Sequence, residues 1–187
     1  TVGREGSRSH ILVDQRELTA RQIDVRWLNR GGGCLVHAPG QLAVYPVLPL
    51  DRLGLGLDDY RETLEATVED VCRELRIAAH RRDDEPGVWS RCGQVAHVGV
   101  AVRSSIAYHG LFVNVNPSPD LMRLVEANRS GERVSSLAAA RTRTTPMHTV
   151  RESVIRNLSA RLGYQQSHLY TGHPLLRRTR RRIYVNA

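Results

Sequence analysis

Two long β segments, Gln94–Arg103 and Ile106–Asn116, are separated only by Ser104-Ser105. Apolar side chains recur along both, at Val95, Val98, Val100 and Val102, then at Leu111, Val113 and Val115. Near-alternation on either side of a two-residue break predicts an antiparallel hairpin with one face buried. Gly99 and Gly110 interrupt it. A glycine inside a strand often marks the close approach of a ligand or another backbone. Pro117 and Pro119 end the sheet.

Helices surround this hairpin. Asp14 can cap a short helix to about Arg21. Tyr60, Leu64, Val68, Val71 and Leu75 repeat at helical spacing behind a possible capping box of Asp59 and Glu62. A short helix is expected over 120–127. A second capping box, Thr149 and Glu152, opens a helix with Val150, Val154, Leu158 and Leu162 as its stripe. Ile23–Leu28 and Leu42–Leu48 read as strands, and 83–87 as a turn. Helices and hairpins are mixed, so the expected class is α+β, with a mainly antiparallel sheet.

The chain has 187 residues, with 41% hydrophobic and 25% charged residues. That suits one domain, expected over residues 1–164, with a real core and a basic tail over 165–187. No apolar run approaches the roughly 20 residues of a membrane span, so no membrane association is expected. The chain opens at Thr1 without methionine, so an upstream segment is expected. Cys34, Cys72 and Cys92 form no framework spacing, which fits a reducing cytoplasm.

All 27 basic residues counted as lysine or arginine are arginine. A lysine general base, Schiff base or phosphate clamp is therefore excluded for this chain alone. The net charge is +8. Much of the excess sits in Arg177, Arg178, Arg180, Arg181 and Arg182. The body is not a basic saddle, and a nucleic-acid or acidic partner is expected only of the tail.

Two glycine-rich segments carry histidines: Arg30-Gly31-Gly32-Gly33-Cys34-Leu35-Val36-His37, and Tyr108-His109-Gly110. His97 lies on the strand beside the second. Together they suggest a ligand cleft, with ordinary turns and satisfied histidines as the alternative reading. Three chemistries remain open on residue type. Cys34, His37, Cys92, His97 and His109 could ligate zinc, but no second close pair completes a four-ligand site. Cys34 or Cys92 could act as nucleophile with a histidine base. Ligand binding without chemistry needs only the cleft.

Arg30-Gly31-Gly32, His37 and Pro39-Gly40-Gln41 resemble the Arg-Gly-Gly-x-x-Thr-x-His-x-Pro-Gly-Gln signature of the lipoyl(octanoyl) transferases. Thr1–Arg4, Pro86-Gly87-Val88-Trp89, Gly99-Val100, Tyr108-His109-Gly110, Asn114-Val115-Asn116 and Val134-Ser135-Ser136-Leu137 continue the match in order, to about Gly163. The resemblance implies the fold of lipoate and biotin protein ligases. It implies transfer of an octanoyl group from acyl carrier protein, through an enzyme cysteine, to a lysine of a lipoyl domain. A lysine beside the cysteine keeps it reactive, and no cofactor is implied. The implied cleft includes Arg30 to His37, His97, Val98, Gly99, His109, Gly110, Leu111 and Phe112.

Both halves of the family dyad are replaced. The lysine position holds Gln94. The cysteine lies seven residues before the valine of the Val-Thr-Ser-Leu segment, and counting back from Val134 gives Ala127. Counting forward from Asn116 without a gap gives Asn128. The family threonine is Leu35. Alanine has no nucleophile, and glutamine takes no proton. Three readings follow: an acyl- or lipoyl-binding pseudoenzyme, an acyltransferase with a nucleophile relocated to Cys34 or Cys92, or a basic interaction module. The expected partner is an octanoyl- or lipoyl-carrying protein, met by a monomer. If the alignment is right, Ala127 and Gln94 line one pocket with His37, Gly99 and Gly110.

Overall fold

Ser104 and Ser105 both take left-handed φ, 49° and 61°. A two-residue turn with both centres left-handed has the twist that antiparallel strands require. The computed structural model describes residues 1–166 and the backbones of His168–Tyr170 and Arg182–Tyr184. In chain order the elements are α1 (Gln15–Ala20), β1 (Gln41–Val44), β2 (Leu48–Pro49), α2 (Leu50–Leu53), α3 (Leu57–Glu74), β3 (Ala79–His80), β4 (Gly87–Ser90), β5 (Gly93–Arg103), β6 (Ile106–Asn114), α4 (Pro119–Met122), α5 (Leu137–Arg141), α6 (Met147–Arg161), β7 (His168–Tyr170) and β8 (Arg182–Tyr184).

The main sheet runs β1-β6-β5-β4-β3, with β2 also on β6, and every neighbouring pair is antiparallel. Helices α3 and α6 cover one face. Tyr60, Leu64, Val68 and Val71 of α3 and Val150 and Val154 of α6 join Val98, Val100, Leu111 and Val113 in the main core. Burying each large aliphatic side chain contributes about 1.5–3 kcal/mol, so this face dominates stability. Glu74 ties the two helices together. It accepts from Ser153, Arg156 and Asn157, and these bonds hold its carboxyl down at about 2.

The opposite face carries the segment through Gly31–Gly40. Gly31 donates its N–H to the Val100 carbonyl at 2.8 Å. A Cβ at Gly99 would lie 2.7 Å from the Gly31 carbonyl oxygen, and one at Gly110 would lie 2.8 Å from that of Val44. Backbone therefore crowds Gly99, and the Pro46 ring together with the Val44 carbonyl crowds Gly110.

Several expected elements differ. Ile23–Leu28 forms no strand; it contributes one isolated bridge, Val2 to Trp27, because no second strand runs beside it. The strand expected over Leu42–Leu48 is broken into β1 and β2 around Pro46. Helix α3 starts at Leu57, where Asp59 accepts from the N–H of Gly56, so Asp59 caps from inside the first turn. Helix α4 stops at Met122, and the chain then extends to bridge Val125 with Ile11. Helix α6 opens at Met147 behind Pro146, so Thr149 and Glu152 lie within it. In the expected tail, β7 and β8 pair with each other. The remaining arginines of that stretch, Arg177 to Arg181, lie outside the described residues. Among the described residues no helix is long and apolar enough to cross a membrane.

Candidate functional site

The second face of β5 and β6 builds the site. Leu111 and Val113 point to the helices, which leaves Gly110, Phe112 and Asn114 on the other side. On β5, Gly99, His97 and Gln94 lie with them, while Val98 packs with the helices. Val98 and Leu111 thus belong to the helix-side core although they sit between site residues.

Arg30 is fully buried beneath this surface. Its Nη1 donates to the Gly31 carbonyl at 2.9 Å. Its Nη2 donates to the carbonyl and hydroxyl oxygens of Thr1 at 3.1 and 2.9 Å. The guanidinium carbon sits 5.8 Å from the centre of the Phe112 ring. Among the described residues no carboxylate forms an ion pair with it.

Burial and this charge act on three histidines. Desolvation, then Arg30, pushes His97 down to about 3. His37 is held at about 4 by desolvation first, with the Thr1 ammonium, Arg30 and His109 adding to it. His109 is lowered by desolvation and Arg30. His37 and His97 are therefore neutral at pH 7. His37 Nε2 is 2.8 Å from the Thr1 hydroxyl, and its ring meets Phe112 edge to face at 5.1 Å. Tyr45 stands edge-on to both Phe112 and His109.

Ala127 is 6% exposed and packs with Leu35 and Phe112. Gln94 is 2% exposed. Its backbone bridges Val134: Gln94 N–H donates to Arg133 O at 3.0 Å, and Ser135 N–H donates to Gln94 O at 2.8 Å. That bridge returns residues 127–134 across the start of β5. Ala127 and Gln94 line one cavity of about 20 Å³, together with Leu35, His97, Phe112 and Val134. Asn128 donates to the Gln94 side-chain oxygen at 3.1 Å, and the Gln94 Nε2 has no partner.

The other sequence-derived residues fall elsewhere. His37 and Val36 line a larger apolar cavity of about 410 Å³, with Ile11, Leu18, Ile23 and Leu124 among its walls. It adjoins the small cavity across Leu35, Val36 and Val125, which line both. Gly99 and Gly110 are crowded by neighbouring chain, the Pro46 ring included, and line neither. Cys34 is 1% exposed and packs with Val2, Ile11 and Leu18. Its thiol donates to Ser7 O at 3.6 Å, and burial raises its pKa. Cys92 lies in the β4–β5 turn, where its N–H donates to the Ser90 hydroxyl. Among the described residues no group of three or more His, Cys, Asp or Glu could hold a metal ion.

A second small cavity, about 30 Å³, adjoins Ala127 and His97. It is lined also by Glu5, His10, Glu85, Glu126 and Arg129, none of which the sequence singled out. They come from separate segments with no motif spacing. The only local sign was that Glu126 and Arg129 flank Ala127.

The lipoyl protein ligase A/B catalytic domain model matches residues 1–159. The octanoyltransferase of Bacteroides fragilis strain YCH46 is 34% identical over 170 residues, covering 87% of this chain and 76% of the relative. That of Alkalilimnicola ehrlichii is 43% identical over 116 residues, covering 62% and 51%. The chain thus spans about half the length of the Alkalilimnicola relative. A bipartite lipoate protein ligase from Thermoplasma acidophilum superposes with a TM-score of 0.67 at 17% identity, covering 87% of this chain and 67% of that one. Biotin protein ligase from Aquifex aeolicus superposes at 0.54 and 17% identity, covering 66% and 53%. These structural likenesses show the same fold, a mixed antiparallel sheet flanked by helices. The chain belongs to the lipoyl protein ligase A/B catalytic-domain family, among the octanoyltransferases.

Proposed function

We propose that this chain binds an octanoyl or lipoyl group, presented by a carrier protein, without forming an acyl-enzyme at the family position. The observation that carries this reading is the shared cavity of Ala127 and Gln94. At the nucleophile position stands a methyl group. At the lysine position stands a neutral amide tied to Asn128. Losing a catalytic nucleophile costs on the order of 10⁶-fold in kcat.

A cavity of about 700 Å³ also borders Ala127, but Arg123, Glu126, Glu132 and Arg133 line it, so apolar walls together with volume decide where an acyl chain lies. Small-molecule sites span about 300–1,000 Å³. The chamber at Ala127 has about 20 Å³, closed by Leu35, Phe112 and His97. The neighbouring apolar cavity has about 410 Å³ and takes the eight-carbon chain. Burial and a raised pKa at Cys34 weigh against a relocated thiolate there, because an activated thiol needs the opposite shift. The three free cysteines support a reducing, cytoplasmic setting.

The test mixes the protein with octanoyl-acyl carrier protein and records its intact mass, then titrates octanoate by calorimetry. An unmodified mass with saturable octanoate binding supports the reading. Ile23→Trp, which narrows the larger cavity, should weaken that binding. A hydroxylamine-sensitive adduct, or no octanoate binding, overturns it.

A further inference from the structure

Three spaces meet at one side chain. They are the apolar cavity of about 410 Å³, the chamber of about 20 Å³ at Ala127 and the charged groove of about 700 Å³ outside it. Leu35 and Val36 line the first two, and Met122, Ala127 and Val134 line the last two. Among the described residues, Val125 alone lines all three. Apolar packing repeats the pattern. Val2, Ile11, Leu18 and Cys34 form one cluster and Leu35, Phe112 and Ala127 another, and Val125 packs against both.

The backbone at this point is pinned. Val125 forms an antiparallel bridge with Ile11. The Leu12 N–H donates to the Leu124 oxygen at 2.9 Å, and the Glu126 N–H donates to the His10 oxygen at 2.8 Å. Hydrogen bonds on both sides therefore fix where the side chain projects. Valine is β-branched and stiff about χ1, so it does not swing aside as a methionine can. Half-buried Val125 is a fixed wall between the spaces.

That wall governs an acyl chain. A carbonyl placed at Ala127 would stand in the small chamber, while the tail needs the larger cavity. With Val125, Leu35 and Val36 between the two, one chain does not occupy both. Leu35 and Val36 do not border the outer groove, so only Val125 also separates the larger cavity from it.

We propose that Val125 is the residue that sets acyl-chain reach in this protein, confining the chain to the larger apolar cavity and keeping it from position 127. This role deepens the acyl-binding reading and rests on it for the class of ligand. Shortening the side chain joins the spaces, and a longer chain then buries methylenes that the native cavity leaves out. Each buried methylene raises affinity about fourfold, so four further methylenes should show as a gain of about tenfold or more even when only partly buried.

The test titrates octanoate and dodecanoate by calorimetry into the native protein, Val125→Ala and Val125→Phe, with circular dichroism confirming each fold. The Ala127 methyl, which lines the chamber and the groove but not the larger cavity, is followed by NMR at saturation. In the native protein octanoate is expected to bind without moving the Ala127 methyl resonance. Val125→Ala should raise the dodecanoate-to-octanoate affinity ratio about tenfold or more over the native ratio, and dodecanoate should then shift the Ala127 methyl. Val125→Phe should leave the ratio at or below the native one. An unchanged ratio in Val125→Ala, or an Ala127 methyl that octanoate shifts in the native protein, overturns the proposal. Absence of binding to the native protein counts against the acyl-binding reading. The partition survives that result if Val125→Ala binds dodecanoate, and falls with the reading if no variant binds either chain.

Discussion

Asn128 Nδ2 donates to the buried side-chain oxygen of Gln94 at 3.1 Å and to the Glu132 backbone oxygen at 3.0 Å. One amide thus fastens the returning segment to the start of β5, beside Ala127. Removing it leaves the Gln94 side chain buried with both ends unpaired. An unsatisfied buried group costs about 1–3 kcal/mol. Asn128→Ala is expected to lose about that much in urea unfolding. An unchanged midpoint would mean that water satisfies Gln94 and the tie contributes little.

His97 gives a pH signature. Its folded pKa, about 3, lies below the ordinary value of 6.5. Between those values the unfolded chain binds a proton that the folded chain refuses. The stability this provides is whole above pH 6.5 and is lost as pH falls toward 3, at up to about 1.4 kcal/mol per pH unit. His97→Leu removes the titration. Unfolding free energies at pH 6 and pH 5 should therefore fall more steeply for the native protein than for the variant. Parallel slopes would show that His97 takes up its proton in the folded state.

Glu65 works in the opposite direction. It is buried on α3 and accepts from the Gly87 N–H at 2.9 Å, and desolvation raises its carboxyl to about 6. Its raised folded pKa favours the protonated form. Stability from this group is full below pH 4.5 and declines as pH rises to about 6. Glu65→Gln keeps an acceptor for Gly87 without the charge. The variant should gain on the native protein between pH 4.5 and 6.5. A constant difference across that range would refute the assignment.

Thiol accessibility separates the cysteines. Cys34 and Cys72 are buried, while Cys92 is partly exposed in a turn. Desolvation raises Cys34 and pushes Cys72 up to about 12. Labelling at pH 8 should modify Cys92 first and the other two only as the chain opens. Fast, pH-independent labelling of Cys34 would instead mark an activated thiolate, and with it a relocated nucleophile.

Legibility in the sequence followed locality. The β5–β6 hairpin and the buried stripe of α3 could be read because each is a periodic pattern within one stretch. Val134 served as the marker for Ala127, and the structure joins Val134 to Gln94 by a direct bridge. Ile23–Leu28 looked like a strand from its apolar content, yet a strand needs a neighbour, and only Trp27 finds one. The acidic chamber was invisible. Glu5, His10, Glu85 and Glu126 meet only after the whole sheet has formed, and their individual spacings carry no signal. Arg30 was read from a motif, but its burial and lack of an ion-pair partner follow from tertiary packing.

The proposed reading puts Ala127 and Gln94 where the family has its cysteine and lysine, and that pair can be introduced. Ala127→Cys alone places a thiol among Leu35, Phe112 and Val125, where burial raises its pKa and leaves it mostly protonated. Gln94→Lys supplies an ammonium lining the same cavity, and a cation near a thiol favours the thiolate. The lysine loses the hydrogen bond from Asn128, so the double variant should be less stable than the native chain. It should nevertheless gain chemistry that neither single variant has. Incubated with octanoyl-acyl carrier protein, Ala127→Cys/Gln94→Lys is expected to acquire a hydroxylamine-sensitive octanoyl adduct mapping to position 127. The single variants should remain largely unmodified. Circular dichroism of all three checks that the fold survives. A folded double variant with no adduct would mean that the closing side chains Leu35, Phe112 and His97, and not the missing dyad alone, bar the acyl group from this position.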